Sequence, residues 1–462
     1  MAQFFAGLQS ILSALGATVV LPIIIFILGL VLGAKPGRAF RSGVTIGVAF
    51  VGINLVIGLM WTNLSDAAQA IVQRTGVNLT VVDVGWPSAA AIAFASTVGT
   101  YIIPIAIIVN LVMLALNATK TLNVDVWNFW HFAFTGAMVV AATGSLALGL
   151  AAAAVNAAIV LFLADWTAPG IQSFFGMPGL SIPHGFSAAY VPVAIPLNWV
   201  LNKIPGLKDL EADPDAIQQR LGVIGEPVIL GLVIGVILGL IAFFNPANLR
   251  DSIVKTLQTG INLSAVMLLL PRMVGILMEG LLPLSDAARE FMQRRYAGRE
   301  IYVGLDSAIL IGHPAAIAAS LVLVPITILL AIILPGNKVL PFADLAVIPF
   351  LVCMTAPITR GNVVRIIIIG ALVIAIGFYI GTATSTLFTR AAIDAKFTMP
   401  AGATEISSIC DGFNFLTFVL LMTARTLSFI GPLIILAILV VVMALYRRNA
   451  KAWEIAAGGP SE

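Results

Sequence analysis

The sequence predicts an all-α polytopic membrane protein with about eleven transmembrane helices and two re-entrant hairpins. Three observations predict it. Hydrophobic residues make up 60% of the chain and charged residues 10%, with a mean hydropathy of +1.07, whereas about a quarter of the residues of a soluble protein are charged. Six stretches, 1–34, 84–119, 126–164, 166–202, 227–249 and 307–337, contain no Asp, Glu, Lys or Arg, and each exceeds the roughly 20 residues that a helix needs to cross a bilayer. The third observation is an internal repeat. Leu64-Ser65-Asp66-Ala67-Ala68 with Gln73-Arg74 returns 220 residues later as Leu284-Ser285-Asp286-Ala287-Ala288 with Gln293-Arg294.

Uninterrupted apolar runs of this length exclude the alternating pattern of a β-barrel, so the spans are helical. They are expected near 11–33, 43–61, 86–115, 126–146, 147–165, 225–244, 259–282, 304–334, 342–357, 363–386 and 427–446. No basic region precedes the first, which reads as a retained helix and not a cleaved signal. With the amino terminus outside and the carboxyl terminus inside, sixteen Lys and Arg residues fall on the cytoplasmic side and six outside, as the positive-inside rule requires. Five spans in each half then force the second half to enter the membrane inverted. The expected division is 1–224 for the first half, 225–426 for the second, and 427–462 for a final helix and cytoplasmic tail.

Two further echoes support the repeat: Pro104-Ile105-Ala106-Ile107 with Pro325-Ile326-Thr327-Ile328, and Ile182-Pro183-His184-Gly185-Phe186 with Ile409-Cys410-Asp411-Gly412-Phe413. The second pair marks the hairpins. Residues 166–202 are apolar but hold Pro169, Pro178, Pro183, Pro192 and Pro196, which argues against one continuous helix. A hairpin with its tip near Pro183-His184-Gly185 is expected there, and a second over 405–425 with its tip at Asp411-Gly412. Non-helical backbone at membrane depth survives only against protein or a water-filled cavity, so both tips are expected to line a cargo site at the interface of the halves.

All three histidines, His131, His184 and His313, fall in membrane-embedded segments, as do the acids Asp83, Glu226, Asp306 and Asp411. Ionisable groups at depth mark pathways, relays or binding sites. Each also has a plainer reading: a histidine bonded within the core, a carboxylate capping a helix end, or, for Trp86 and Trp127, an interfacial belt. Asp306 and His313 lie seven residues apart, two helical turns. The candidate substrate-binding residues are His184, Asp411, His131, Asp306, His313, Asp83 and Trp86. Imidazoles, carboxylates and an indole suit a neutral polyhydroxylated cargo. No catalytic residue, metal site or cofactor is expected. There is no phosphate-binding loop, and Cys353 and Cys410 are too few for a disulfide framework and read as small core residues.

Val81-Val82-Asp83-Val84-Gly85-Trp86-Pro87, Asn123-Val124-Asp125-Val126-Trp127-Asn128-Phe129-Trp130-His131, Ile182-Pro183-His184-Gly185, Gly225-Glu226-Pro227-Val228 and Gly304-Leu305-Asp306 together resemble the galactitol-specific enzyme IIC of the bacterial phosphoenolpyruvate-dependent sugar phosphotransferase system. The resemblance covers nearly the whole chain and fades after about residue 390. It implies a permease in the bacterial cytoplasmic (inner) membrane that passes galactitol or a related polyol to a separate IIB protein. IIB donates phosphate from a phosphocysteine and is itself charged through IIA, HPr and enzyme I. It also implies a homodimer with a scaffold, here 11–61 and 225–282, and a mobile core working by an elevator-type movement, with Glu226 structural. Lys203, Lys208, Arg289, Arg294, Arg295 and Arg299 could supply a basic docking surface for IIB or simply set topology. An ion-coupled secondary transporter of a polyol, or of a sugar acid such as ascorbate, is the competing expectation. Nucleic acid is not an expected partner.

Overall fold

The computed structural model describes residues 17–75, 79–207, 212–221, 226–295, 300–341, 343–400 and 403–461, with Gly7, Leu210 and Val223 as isolated positions. The start of the expected span 11–33, together with Lys208 and Arg299, lies outside these residues. So do the side chains of Leu284, Ser285, Asp286, Arg289, Arg294 and Arg295.

The protein is helical and polytopic. Among the described residues six helices are long and apolar enough to cross a membrane, or seven if one bent pair is a single span. Helices α1 (Ala17–Val31), α2 (Pro36–Thr75), α9 (Pro227–Phe243) and α10 (Leu249–Arg295) pack together. The Leu-Ser-Asp-Ala-Ala repeat supplies the last turns of α2 and α10, so both helices run well beyond the expected spans 43–61 and 259–282. Small residues bring α9 and α10 close. An added Cβ at Gly231, Gly235 or Gly239 would meet Leu263 O and Ser264 Cα, Gly260 Cα, or Thr256 Cα, all at 2.7–2.9 Å. In lipid such close backbone contact is a main source of helix association, because burying apolar surface gains little there.

The remaining helices form a second body around two small parallel sheets. In chain order these elements are β1 (Val81–Asp83), α3 (Trp86–Ala95), α4 (Gly99–Ala115), β2 (Thr121–Asn123), α5 (Trp130–Thr143), α6 (Leu146–Phe175), β3 (Leu180–Ser181) and α7 (Val191–Leu201). After α8 (Pro214–Leu221) and the α9–α10 pair come β4 (Tyr302–Gly304), α11 (Pro314–Ile333), β5 (Val339–Leu340), α12 (Ile348–Val352), α13 (Thr355–Ile358), α14 (Val363–Asp394), β6 (Glu405–Ser407) and α15 (Phe415–Leu427). Helices α16 (Ile430–Arg448) and α17 (Ala450–Ala456) complete the chain. Helix α5 is buried almost all round. Only 17% of the apolar window of α16 is buried, which leaves it an outward-facing surface helix.

One sheet has the order β5-β1-β6 and the other β2-β4-β3. Each takes its middle strand from one half of the chain and both edges from the other, with Val81 opposite Val339 and Glu405, and Val303 opposite Leu122 and Leu180. Open strand edges buried in a membrane protein need partners, and here side chains supply them. Asn110 Nδ2 donates to Thr121 O (2.7 Å) while its Oδ1 accepts from Asn123 N (2.9 Å), closing β2. Gln172 Nε2 donates to Leu180 O of β3, Asn337 bonds both N and O of Val339 in β5, and Thr389 Oγ1 accepts from Ile406 N of β6.

Four expected spans take other forms. Residues 86–115 bend by 90° between α3 and α4. Ser96 N donates back to Ile92 O, Gly99 N donates to Ser96 Oγ, and a Cβ at Gly99 would lie 2.4 Å from Ala93 O and Phe94 O. Residues 126–146 hold a 14-residue helix that ends where Gly144 turns left-handed, φ 72°. Residues 304–313 are not α-helical. Instead Asp306 caps a short turn by accepting from Ala308 N, and His313 caps α11 by accepting from Ala315 N. Of the expected span 342–357, the described residues 343–357 hold a turn and the short helices α12 and α13, with Pro349 and Pro357 interrupting the backbone bonds.

The hairpin segments also differ from expectation. Helix α6 passes through Pro169 and stops at Gly176, φ 67°, so 166–175 extends a long helix. Beyond it come β3, a non-helical tip, a turn at Ser187–Tyr190 and α7. The second segment repeats this form as β6, a tip over 408–414 and α15. Both are strand–loop–helix units.

Candidate functional site

Every strand runs into the same cavity. Within ten residues of its strand end, the chain reaches Trp86 after β1, Asn128 and His131 after β2, His184 after β3, Asp306 after β4, Phe350 after β5 and Cys410 after β6, and all of these line a cavity of about 260 Å³. Phe50, Asn54 and Ile57 of α2 close its other wall. Because each middle strand is bonded on both sides, the loops that leave the sheets are anchored at their roots, and the groups they carry are held in fixed relation.

The two hairpin tips meet at His131. Its Nδ1 lies 2.6 Å from Asp411 Oδ2, with the two side chains 1% and 0% exposed. Asp411 Oδ1 accepts from Asn414 Nδ2 at 2.9 Å, and the same amide donates to Gly185 O at 3.0 Å, joining the second tip to the first. Asn414 cannot be turned over, because its Oδ1 accepts from Leu416 N and Thr417 N at the start of α15. His131 Nε2 is buried without a hydrogen-bond partner among the described residues, and so is Trp130 Nε1. Buried polar atoms are almost always bonded, and both residues line the cavity, so its wall carries two polar groups unsatisfied among the described residues.

His184 stands beside this pair, its ring centroid 4.6 Å from that of His131. Ser187 N donates to His184 Nδ1 at 3.2 Å, and its Nε2 lies 3.5 Å from Asp306 Oδ1. Ser187 Oγ and Ser307 Oγ are 2.7 Å apart, tying the two loops. Asn128 Nδ2 donates to buried Asp125 Oδ2 at 2.7 Å.

Four of the seven candidate residues, His131, His184, Asp306 and Trp86, line the cavity, and Asp411 is bonded to His131 in its wall. Asp83 stands behind the wall, where Oδ1 accepts from Gly85 N and Oδ2 from Asp344 N. His313 lies apart, packed against Phe174 and Phe175 with ring centroids at 4.6 and 5.4 Å. The two-turn spacing from Asp306 does not place it on a shared face, because residues 306–313 hold only a short 3-10 turn at Ser307–Ile309 and are not α-helical. The sequence reading missed Asn54, Asn128, Trp130, Phe350, Asp344 and Asn414. Buried Asp344 accepts from Trp86 N at 2.6 Å and Cys410 N at 3.1 Å, and from Ser408 Oγ. It therefore fixes the second tip against the start of α3. Asn128 and Trp130 lie in the block around His131, and Asn414 follows Asp411 by three residues, so proximity was a signal for them. Asn54, in an apolar helix, and Asp344 carried none.

His131, Cys410 and Asp411 place ligand atoms within 4.8 Å of one another. Two atoms on a tetrahedral zinc ion at ordinary bond lengths stand about 3.3 Å apart, so the 2.6 Å contact is that of a hydrogen bond and does not bracket a metal. Both cysteines are free. Of the expected basic surface, Lys203 is described, and its Nζ sits 3.4 Å from the Trp199 ring centroid.

Comparison with known proteins gives a consistent answer. The model of the PTS system sugar-specific permease component family, EIIC-GAT, matches residues 10–402. The chain is 40% identical over 449 residues to the PTS system galactitol-specific EIIC component of Escherichia coli strain K12, covering 97% of this chain and 98% of the relative, and to its O157:H7 counterpart to the same extent. It is 42% identical over 405 residues to a putative permease IIC component of strain K12, covering 87% and 90%.

Proposed function

Since the chain belongs to the EIIC-GAT family of phosphotransferase-system sugar-specific permease components, we propose that it carries galactitol, or a polyol close to it, through the membrane for phosphorylation by a separate IIB protein. The observation that carries the cargo class is the cavity lining. It combines three indoles, Trp86, Trp127 and Trp130, with His131, His184, Asp306, Asn54 and Asn128, and no lysine or arginine among its described residues. Indole faces pack on the C–H side of a polyol, and imidazole, amide and carboxylate groups answer hydroxyls in both senses. An anionic cargo would meet the Asp306 carboxylate and no fixed cation among the described lining residues. The ion-coupled carrier, and ascorbate with it, is not favoured, since two of the relatives are named as galactitol-specific phosphotransferase components.

The larger arrangement belongs to the same proposal. An inverted repeat of 1–224 and 225–426, followed by the 427–462 helix and tail, is supported by the strand exchange, in which β1, β2 and β3 are answered by β4, β5 and β6. A scaffold of α1, α2, α9 and α10, with the sheet-centred body moving as an elevator, is supported by the cavity's position between the two groups. The orientation, amino terminus outside in the inner membrane, rests on the basic residues. A homodimer, and the chain from enzyme I through HPr and IIA to IIB, rest on the family resemblance. The exposed apolar face of α2 at Val44, Val48, Val51 and Leu55 is available to lipid or a second copy.

Reconstituted vesicles test the reading. With phosphorylated IIB supplied on the cytoplasmic side, galactitol should enter and appear as its phosphate. Accumulation of free galactitol driven by a sodium or proton gradient, without IIB, would refute it.

A further inference from the structure

The two cavity imidazoles are held in opposite tautomers. A backbone N–H can only donate, so the bond from Ser187 N fixes His184 Nδ1 as an acceptor and puts the proton of the neutral ring on Nε2, toward Asp306. His131 is the reverse. Its Nδ1 faces a carboxylate oxygen at 2.6 Å and carries the proton, so Nε2 presents a bare lone pair, buried and without a partner among the described residues. A carboxylate that orients an imidazole through Nδ1 and stabilises the imidazolium formed at Nε2 is the arrangement of a general base. The Trp130 ring packs on His131, with its centroid 3.9 Å away and tilted by 31°, and holds the imidazole plane in place.

We propose that His131 is a catalytic residue, the acceptor of the proton released when the bound polyol is phosphorylated. The step rests on the phosphotransferase reading above and takes a cysteine thiophosphate of the partner protein as donor. The polyol hydroxyl oxygen attacks phosphorus, the O–P bond forms and the S–P bond breaks. The thiolate leaves on the partner, and the hydroxyl proton passes to His131 Nε2, from which water removes it after the product departs. His184 does not take this proton, because its acceptor nitrogen is already occupied by Ser187 N.

Asp411→Asn separates a base from a simple ligand. Asn414 Nδ2 still requires an acceptor and cannot turn over, so the new amide keeps its oxygen at the Oδ1 position and points its NH₂ at His131 Nδ1. That nitrogen must then accept, and the proton moves to Nε2. A polyol hydroxyl donates or accepts equally well, so the variant should still bind galactitol, and transfer is compared at galactitol concentrations that saturate each protein in a direct binding assay. Single-turnover transfer from phosphorylated IIB should fall by about 10²- to 10⁴-fold, the usual contribution of a general base. His131→Gln, which keeps an amide in the wall but takes up no proton, also loses the bond to Asp411 and should weaken galactitol binding; at saturating galactitol its transfer should still fall by about 10²- to 10⁴-fold, and it serves if the first variant does not fold. Wild-type transfer by either variant at saturating galactitol would overturn the proposal. A wild-type protein that binds galactitol but yields no phosphate with IIB would instead overturn the phosphotransferase reading itself.

Discussion

Gly185→Ala adds one methyl group, and the structure says where it goes. The new Cβ would lie 2.5 Å from His131 Cβ and 3.0 Å from its Cγ, against about 3.5–4.0 Å for carbon atoms in contact. Gly185 is not in the left-handed region, so alanine meets no backbone penalty and the effect is one of space. His131 Cβ is fixed to the fully buried α5 and cannot swing aside as the end of a flexible side chain would. Relief needs a displacement of about 1 Å, and it has two directions. Moving the ring stretches the 2.6 Å bond to Asp411 beyond hydrogen-bond range. Moving the tip draws Gly185 O away from Asn414 Nδ2, now at 3.0 Å. The first loss is worth about 1.5–3 kcal/mol for a bond to a charged group, with about 1–3 kcal/mol of overpacking besides. Where the bond to Asp411 is lost at the cargo wall, galactitol affinity should fall by about ten- to a hundredfold, read by equilibrium binding to the purified protein. The fold should survive, since only one tip is disturbed. Wild-type affinity in a folded Gly185→Ala protein would refute the close packing of the first tip on His131 and the reasoning built on it.

Composition made the membrane class legible, because a chain this apolar has no other solvent. The non-helical tips were legible too: Pro183-His184-Gly185 and Cys410-Asp411-Gly412 put polar groups beside proline or glycine in apolar segments, which breaks a continuous helix there. The sheets were not. Strands of two or three residues carry no periodicity, and those in this protein pair with partners more than 100 residues away, between halves. The side chains that close their edges, Asn110, Gln172, Asn337 and Thr389, look in the sequence like stray polar residues in helices and turns. The bend at Ser96 and the broken backbone over 343–357 were hidden for a related reason. Apolar length predicts a span wherever it occurs, and it cannot tell a lipid-facing helix from a buried irregular segment. His313 lies away from the cavity, against Phe174 and Phe175, because the spacing from Asp306 would need an α-helix across 306–313.

Two further substitutions probe the frame that holds the site. Asn110→Leu should lower stability by about 2–6 kcal/mol, as it leaves Thr121 O and Asn123 N buried and unpaired at about 1–3 kcal/mol each; Asn110→Asp, which still accepts from Asn123 N, should recover part of the loss in a thermal melt in detergent. A melt in which leucine is as stable as asparagine would mean that β2 does not depend on this side chain. Asp344→Asn is nearly isosteric, and the argument against it is one of proton placement. Both carboxylate oxygens receive a backbone N–H, Oδ1 from Trp86 and Oδ2 from Cys410, and neither peptide group can act as an acceptor in return. Whichever way the amide is turned, its NH₂ faces one of these donors and leaves a buried N–H unsatisfied, at about 1–3 kcal/mol. If Trp86 N is abandoned the start of α3 loosens, and if Cys410 N is abandoned the second tip does. Both carry cavity wall, so galactitol affinity should fall together with melting temperature. A variant that loses neither would show that Asp344 is not what fixes the tip against α3, and a variant that loses stability while binding galactitol as before would show that the cavity keeps its shape without this clamp.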